Sequence, residues 1–330
     1  MTFTYSIALS ILFLNRLGDI KATDPNDPAR QRIQSLALRL LAAQNKKGGW
    51  HYHCPVLNAY QERAVRNFLM ANRFIPGHLE VFRPGQDDHS IGQFATLALW
   101  CARRHQVIAA PTLATAAGRY REKQKPNGSW GYRDSSPFFH DSSTCAGLIA
   151  IAIGLAIDGQ GKKALAPLQD PAVARGLGYL AKIMGKKPGL PADVVLARRK
   201  HTADMEHFFR LLETRKDPDT WNQFSAIDRW ELELGTIFGA DAWGDLYFLW
   251  SLERMAVMYN LKEIDGRDWY RWGAKIIVAN QKQDGSRQDR FPGVPDTCFA
   301  LLFLRRMNLA PDLTELILGV RMEEKSKSPR

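Results

Sequence analysis

The sequence predicts an all-α protein built from repeated pairs of helices. Three observations support this prediction: a glycine-containing turn pattern that recurs, a second pattern that opens strongly apolar segments, and a nearly constant distance between the two. A repeat of about fifty residues lies at the upper end of the range found in helical-repeat proteins. We therefore expect each unit to hold an apolar inner helix, an amphipathic outer helix and a glycine-rich turn.

The turn pattern has the form Q-x-x-x-G-x-W. It occupies residues 44–50 and 124–130, and a third copy at 281–287 ends on Arg287 in place of the tryptophan. Glycine at the fifth position allows backbone conformations that a side chain disfavours. We expect an outer helix directly before each turn, over residues 27–44, 111–124 and 267–281.

The start pattern is a polar residue, any residue, Ser or Cys, an apolar residue, and Ala or Gly. Because Asp, Ser and Thr accept hydrogen bonds from the free N–H groups of a helix start, the pattern predicts the beginnings of inner helices. The turn glutamine follows at a similar distance in three units, from 4 to 44, 88 to 124 and 245 to 281. The starts are Thr4, Asp88, Ser143 and Asp296, with Asp245 as a fifth that lacks the small residues.

Residues 1–330 are predicted to form a single domain whose repeat is broken twice. Residues 51–87 contain three prolines, and residues 158–241 begin with a stretch rich in Lys, Gly and Pro. We expect two irregular insertions there. The second is expected to hold a degenerate repeat and a helix near residues 202–212.

Charge and hydropathy restrict the partners. Lys and Arg number 45 against 34 Asp and Glu, a net charge of +11, which favours a phosphorylated ligand or an acidic membrane surface, or is simply a solvated basic surface. No nucleic-acid-binding pattern is found, so we expect no nucleic acid partner. No apolar run approaches about 18 residues, and no leader with a cleavage site is found. We therefore expect a cytoplasmic protein, although a natural chain extended at the N-terminus fits the early first helix.

The four cysteines lie far apart and show no paired spacing, so no disulfide framework is expected. Cys101, Cys145 and Cys298 lie in apolar runs and are predicted to be small buried residues.

Stacked helix pairs form either an open solenoid or a closed double ring. Together, the turn and start patterns resemble the repeats of squalene/hopene cyclases and protein prenyltransferase β subunits, from residue 4 to about residue 308 apart from the insertions. The resemblance implies a closed α/α toroid, a double ring of helix hairpins, with a central cavity for isoprenoid chains. It also implies that the turn Gln and Trp brace the outer helices. The expected cavity-lining residues are Phe94, Tyr247, Trp250, Phe299 and Phe303.

The resemblance leaves catalysis open. Cyclases of this family protonate their substrate with a D-x-D-D cluster, which is absent here; residues 217–220 and 87–90 are only partial matches. Acids and histidines near the inner-helix starts are the alternative catalytic candidates, as a mouth for a metal or a polar substrate. They also suit a purely structural role, because acids stabilise helix N-termini. These candidates are Asp88, His89, His140, Asp141, Asp245 and Asp296.

A zinc site is the alternative to having no cofactor. Asp296 and Cys298 match the first half of the prenyltransferase zinc pattern, and carboxylate with thiolate is sound zinc chemistry. No histidine follows them, since the last is His207. The structural alternative is that Asp296 caps a helix and Cys298 packs.

The sequence therefore predicts a protein that binds an isoprenoid or other hydrophobic small molecule in a central cavity. A non-catalytic scaffold for a protein partner, held by the insertions, is the second interpretation. A carbohydrate-active enzyme on the same fold is the third, and no carboxylate pair stands out to support it.

Overall fold

A computed structural model describes residues 2–17, 24, 26–71, 87–134, 140–158, 167–184, 246–279, 281–287, 289 and 294–318. In these ranges the regular structure is helical and the extended pairing is limited to isolated bridges, so the all-α prediction is confirmed. Short 3₁₀ turns occur at Arg103–His105 and Pro167–Gln169. The α-helices are α1 Thr4–Arg16, α2 Pro28–Ala43, α3 Ala59–Met70, α4 His89–Ala102, α5 Ala110–Lys123, α6 His140–Asp158, α7 Pro171–Ala181, α8 Leu246–Met258, α9 Trp269–Ala279, α10 Val294–Arg305 and α11 Pro311–Leu318.

The turn glutamines tie each outer helix to the next one. The Gln44 amide donates to the Thr112 carbonyl, in the first turn of α5, at 2.9 Å. In the same way, the Gln124 amide donates to the Ala172 carbonyl, in the first turn of α7, at 2.8 Å. Helices α2, α5 and α7 are therefore successive outer helices. Part of the repeat expected in residues 158–241 is thus found as α7.

The last position of the turn makes the same hydrogen bond in all three copies. The indole N–H groups of Trp50 and Trp130 each donate at 2.8 Å to the carbonyl ten residues earlier. Arg287 Nε donates to the equivalent carbonyl at 2.9 Å. An arginine thus reproduces the hydrogen bond of the tryptophan at the end of the outer helix.

Small residues of the start pattern let aromatic side chains approach the inner helices. A Cβ added to Gly147 in α6 would lie 2.5 Å from the Trp130 ring, and one added to Gly92 in α4 would lie 2.6 Å from the Tyr120 hydroxyl. Any larger residue would push outer and inner helices apart. The small position therefore has a packing role.

Inner helices form a row in which α1 packs on α4, α4 on α6, α6 on α8, and α8 on α10. Helices α4, α6 and α8 are buried around almost their whole circumference, as helices in the middle of a layer must be. The Tyr5 hydroxyl donates to Ser90 at 2.9 Å, and Ser90 lies 2.6 Å from the Tyr247 hydroxyl. Because these residues lie in the first turns of α1, α4 and α8, the three helices begin at the same end of the molecule.

Some boundaries differ from the prediction. Helix α6 begins at His140, before Ser143, and α10 begins at Val294, so Asp296 lies inside its first turn and not at the N-cap. Asp88 does cap α4. The start at Asp245 and the helix expected near residues 202–212 lie outside the described residues.

Residues 51–87 are less irregular than predicted, because they contain α3. Asn58 and Gln61 form a capping box that satisfies free N–H groups at its start. Val65 and Leu69 bury one side of α3, so its apolar face explains why it forms despite the neighbouring prolines.

Helix α6 is also long and apolar enough to cross a membrane by length and composition, over Asp141–Asp158. Of that segment 78% is buried inside the molecule, as expected for the core helix of a helical repeat. The prediction that the chain has no transmembrane segment stays a prediction.

Cys298 is exposed, contrary to the prediction, whereas Cys54, Cys101 and Cys145 are buried. The reason is that Cys298 shares the outward face of α10 with Leu301, which is 61% exposed. Burial raises the pKa of Cys54 to about 11 and that of Cys101 to about 12.

We expect a thiol reagent to modify one cysteine per native chain at neutral pH and all four after denaturation, because buried neutral thiols react slowly. Replacing Cys298 by serine should abolish the native reaction. Rapid modification of two or more thiols in the native protein would contradict the packing of α1, α4 and α6.

Candidate functional site

Asp88 is the centre of a polar network at the end where the inner helices begin. Its Oδ1 accepts from the Ile91 N–H at 2.7 Å, and its Oδ2 accepts from the Tyr132 hydroxyl at 2.7 Å. The Tyr132 hydroxyl also bonds the hydroxyl of Tyr52. Burial raises the pKa of Asp88, although the bonds from Ile91 and the tyrosines oppose this. Both carboxyl oxygens of Asp88 are therefore engaged within the fold.

His89 has a positioning role beside this carboxyl. Its Nδ1 lies 2.7 Å from the Gly131 carbonyl and its Nε2 lies 3.0 Å from Asp134 Oδ1. Arg119 bridges Asp134 at 3.0 Å and Asp87 at 2.7 Å. Burial alone would raise the pKa of Asp134, but the His89 hydrogen bond and the Arg119 charge lower that pKa well below its usual value. Both ring nitrogens of His89 are engaged, which leaves neither for a substrate.

A directional chain of hydrogen bonds leads from this end toward the middle of α8. Tyr5 donates to Ser90, Ser90 lies within bonding distance of Tyr247, and Tyr247 donates to Gln93 Oε1 at 3.3 Å. Ser251 donates to the same oxygen at 3.4 Å. The chain crosses between α4 and α8.

Four of the five predicted cavity-lining residues meet directly beneath that chain. We call Phe94, Tyr247, Trp250 and Phe299 the aromatic cluster. Trp250 lies 5.0 Å from Phe94, 5.8 Å from Tyr247 and 5.3 Å from Phe299 between ring centroids. Phe94 and Trp250 are buried, whereas Tyr247 and Phe299 are half-buried. The cluster, contributed by α4, α8 and α10, therefore extends from the interior to the surface.

Phe303 lies apart from the aromatic cluster. It stacks on Tyr270 at 5.6 Å and meets Trp269 edge-on at 5.9 Å. A Cβ added to Gly273 would lie 2.4 Å from its ring. Phe303 therefore packs α10 against the outer helix α9.

A buried ionisable pair in α8, unexpected from the sequence patterns, adjoins the aromatic cluster. Glu253 is fully buried and Arg254 is 5% exposed. Arg254 Nε lies 3.4 Å from Glu253 Oε2, and its guanidinium carbon lies 4.7 Å from the Trp250 ring centroid. Burial raises the pKa of Glu253 to about 7, against the opposing charges of Arg254 and Arg306. Two charged residues inside the otherwise apolar segment 246–258 were the signal in the sequence.

Hydrogen bonding around this pair is incomplete. Both carboxyl oxygens of Glu253 lack a hydrogen-bond partner, as do Nε and Nη1 of Arg254, Nε1 of Trp250 and Nε2 of Gln93. We call these four residues the polar centre. A buried polar group without a partner costs about 1–3 kcal/mol, so the polar centre lowers the free energy of unfolding of the protein.

Asp141 and Asp296, two other candidate acids, have structural partners. Asp141 accepts from the Tyr179 hydroxyl at 2.9 Å, which ties α6 to α7. Asp296 is fully buried and accepts from the Asp289 backbone N–H. Asp245 and the side chain of His140 lie outside the described residues.

Asp296 and Cys298 project to different sides of α10, since the first is buried and the second exposed. In the part of the chain that the structure describes, no three His, Cys, Asp or Glu side chains come together as metal ligands would. Among the described residues, therefore, no further ligand accompanies this pair.

Comparison with known proteins finds no family model, no curated protein and no solved structure that matches this chain.

Proposed function

We propose that this protein is an α/α toroid that binds an isoprenoid or another apolar ligand at the aromatic cluster. The aromatic cluster itself is the observation that supports this proposal. Ligand sites are typically concave, lined by aromatic and apolar side chains, and supplied with a few polar groups. Here three inner helices bring four rings together beside the polar centre, and the half-buried Tyr247 and Phe299 provide the entrance.

The toroid arrangement is supported by the packing of the helices. Inner helices follow one another in a row, while the turn glutamines link the outer helices in the same order. The inner helices α1, α4 and α8 begin at the same end of the molecule, as a double ring requires.

Binding without the cyclase reaction is the function we propose. Protonating an alkene needs a carboxylic acid whose proton is free to leave toward the substrate. Asp88, the most buried candidate acid at the inner-helix starts outside α10, has both oxygens engaged by Ile91 and Tyr132. Its hydrogen bonds support a role in fixing the entrance of the site.

Titration with a prenyl alcohol, followed by tryptophan fluorescence, tests the proposal. We expect saturable binding, and a loss of about tenfold in affinity for Phe299→Ala, because removing an aromatic contact with the ligand costs about 1–2 kcal/mol. Phe13→Ala, on the exposed face of α1 (63% exposed), is the matched control and should bind normally. Absence of saturable binding, or equal affinities for Phe299→Ala and Phe13→Ala, would refute the proposal.

A protein-interaction scaffold is the second candidate, favoured by an apolar stripe on α1. Leu9, Phe13 and Leu17 recur every four residues and are 49%, 63% and 58% exposed. A second copy is the occupant that continues such a row of helices. Sedimentation should then show self-association that Phe13→Asp abolishes; a monomer at all concentrations would remove this candidate.

A further inference from the structure

We propose that Arg254 and Glu253 bind the head group of the apolar ligand, and that this head group is a carboxylate taken up together with one proton. The inference rests on the proposed function, because it places the ligand chain on the aromatic cluster. It adds the chemical class of the ligand and a pH dependence of binding.

Arg254 and Glu253 lie beside the aromatic cluster. The Arg254 guanidinium lies over Trp250, the ring that also contacts Phe94, Tyr247 and Phe299. Trp250 therefore links the aromatic cluster to the guanidinium, and a chain held against Trp250 can place its head group beside Arg254. Helix α8 is buried on nearly all sides here, so a charged group at this depth has to be matched within the site.

The polar centre has donors and acceptors that make no hydrogen bond within the protein. Donors without an acceptor remain on Arg254, Trp250 and Gln93, and both Glu253 oxygens remain without a donor. Within this set, Arg254 Nε lies 3.4 Å from Glu253 Oε2, which is an ion-pair contact and not a hydrogen bond. A carboxylate accepts several hydrogen bonds and matches the donors. The Glu253 carboxyl, once protonated, becomes one more donor to it.

The charged groups around Glu253 and Arg254 determine which charge a ligand can bring to the site. The charges acting on Glu253 are those of Arg254 and Arg306, and the groups acting on Arg254 are Glu253 and the neutral thiol of Cys101. Arg104 and Asp312 act on that thiol and lie beyond it.

Arg306 packs over the Tyr270 ring and does not act on Arg254, so the charge balance at Arg254 depends on Glu253. With Glu253 ionised, the pair with Arg254 is neutral, and a carboxylate ligand would place two negative groups beside Arg254. With Glu253 protonated, a carboxylate restores neutrality. The only bond that forms is the O–H bond of the Glu253 carboxyl, and solvent supplies the proton. A doubly charged phosphate fits less well, because it would need a second positive group beside Arg254. Arg306 does not supply one, since its guanidinium carbon lies over the Tyr270 ring, 4.7 Å from the centroid.

Dodecanoate and dodecanol serve as probes that differ only in the head group, each titrated into the full chain at about pH 6 and about pH 8. We expect dodecanoate to bind about tenfold more tightly at the lower pH, which is the change in protonated Glu253 for a pKa near 7. Dodecanol should bind equally at both. Calorimetry at about pH 8 in buffers of different ionisation enthalpy should show uptake of close to one proton with dodecanoate only.

Glu253→Gln should bind dodecanoate independently of pH, because the amide stays neutral and can donate. Glu122→Gln, at an exposed position, is the matched control and should retain the pH dependence. If both probes bind wild type equally at both pH values, the apolar site stands and the head-group inference is overturned. If neither probe binds, the proposed function fails as well.

Discussion

Replacing Gly128 by alanine is expected to lower the free energy of unfolding far more than the same change at Gly285. Both glycines occupy the fifth position of the turn, with φ of 91° and 81°. A Cβ at position 128 would lie 2.2 Å from the Arg175 carbonyl oxygen in α7, whereas one at position 285 would meet only the Gln281 amide at 3.6 Å. We expect losses of about 4 and about 1.5 kcal/mol, because left-handed strain costs about 1–2 kcal/mol and displacing a helix costs about 1–3 more.

Denaturant unfolding of the two variants beside the wild type measures this difference. Gly118→Ala provides a control in α5, where an added Cβ meets nothing within 4 Å. It should be neutral or stabilising by up to about 1 kcal/mol. Equal losses at Gly128 and Gly285 would contradict the packing of α7 on the second turn.

The second large effect is a loss of stability as the pH rises from about 4.5 to about 7, the pKa values of Glu253 in the unfolded and folded chain. Burial raises the pKa of Glu253 from 4.5 to about 7. Between these values the unfolded chain has released the proton while the folded protein still holds it. Raising the pH therefore favours unfolding, and the loss approaches about 3 kcal/mol once the pH exceeds the folded pKa. The raised pKa of Asp88 acts in the same direction.

Glu253→Gln isolates the contribution of this residue. We expect the variant to be more stable than wild type by about 2–3 kcal/mol at about pH 8 and to differ little at about pH 4, since the amide replaces the neutral form. Urea melts across this range give the comparison, with Glu122→Gln as the exposed control. A Glu253→Gln profile parallel to the wild type would show that Glu253 titrates normally.

Local sequence patterns predicted the repeat because its parts are short-range. The side chains of Gln44, Gln124 and Gln281 each close their turn by a hydrogen bond to the carbonyl four residues later. Because these bonds lie within seven consecutive residues, the turn can be recognised from the local sequence. Helices α2 and α5 end directly before Gln44 and Gln124, as predicted, whereas α9 ends at Ala279, before the predicted end at residue 281. Helix α3 was missed because prolines on both sides outweighed its capping box.

The candidate site was predicted only in part, because its geometry depends on contacts between distant segments. Phe94, Tyr247, Trp250 and Phe299 do lie together, although their lining of a cavity stays a prediction. Phe303 instead faces α9, a difference of orientation that residue type does not encode. Glu253 and Arg254 were not among the predicted site residues, because their burial depends on the packing of α8 between α6 and α10. Cys298 was misplaced for the converse reason, since its face of α10 is open.

A crystal structure of the protein with dodecanoate would show whether the aromatic cluster binds a ligand. We expect an alkyl chain in contact with Phe94, Trp250 and Phe299, and a carboxylate within hydrogen-bonding distance of Arg254. If the rings keep their separations of 5.0 to 5.8 Å with no ligand against them under saturating dodecanoate, the aromatic cluster is core packing and the proposed binding is contradicted.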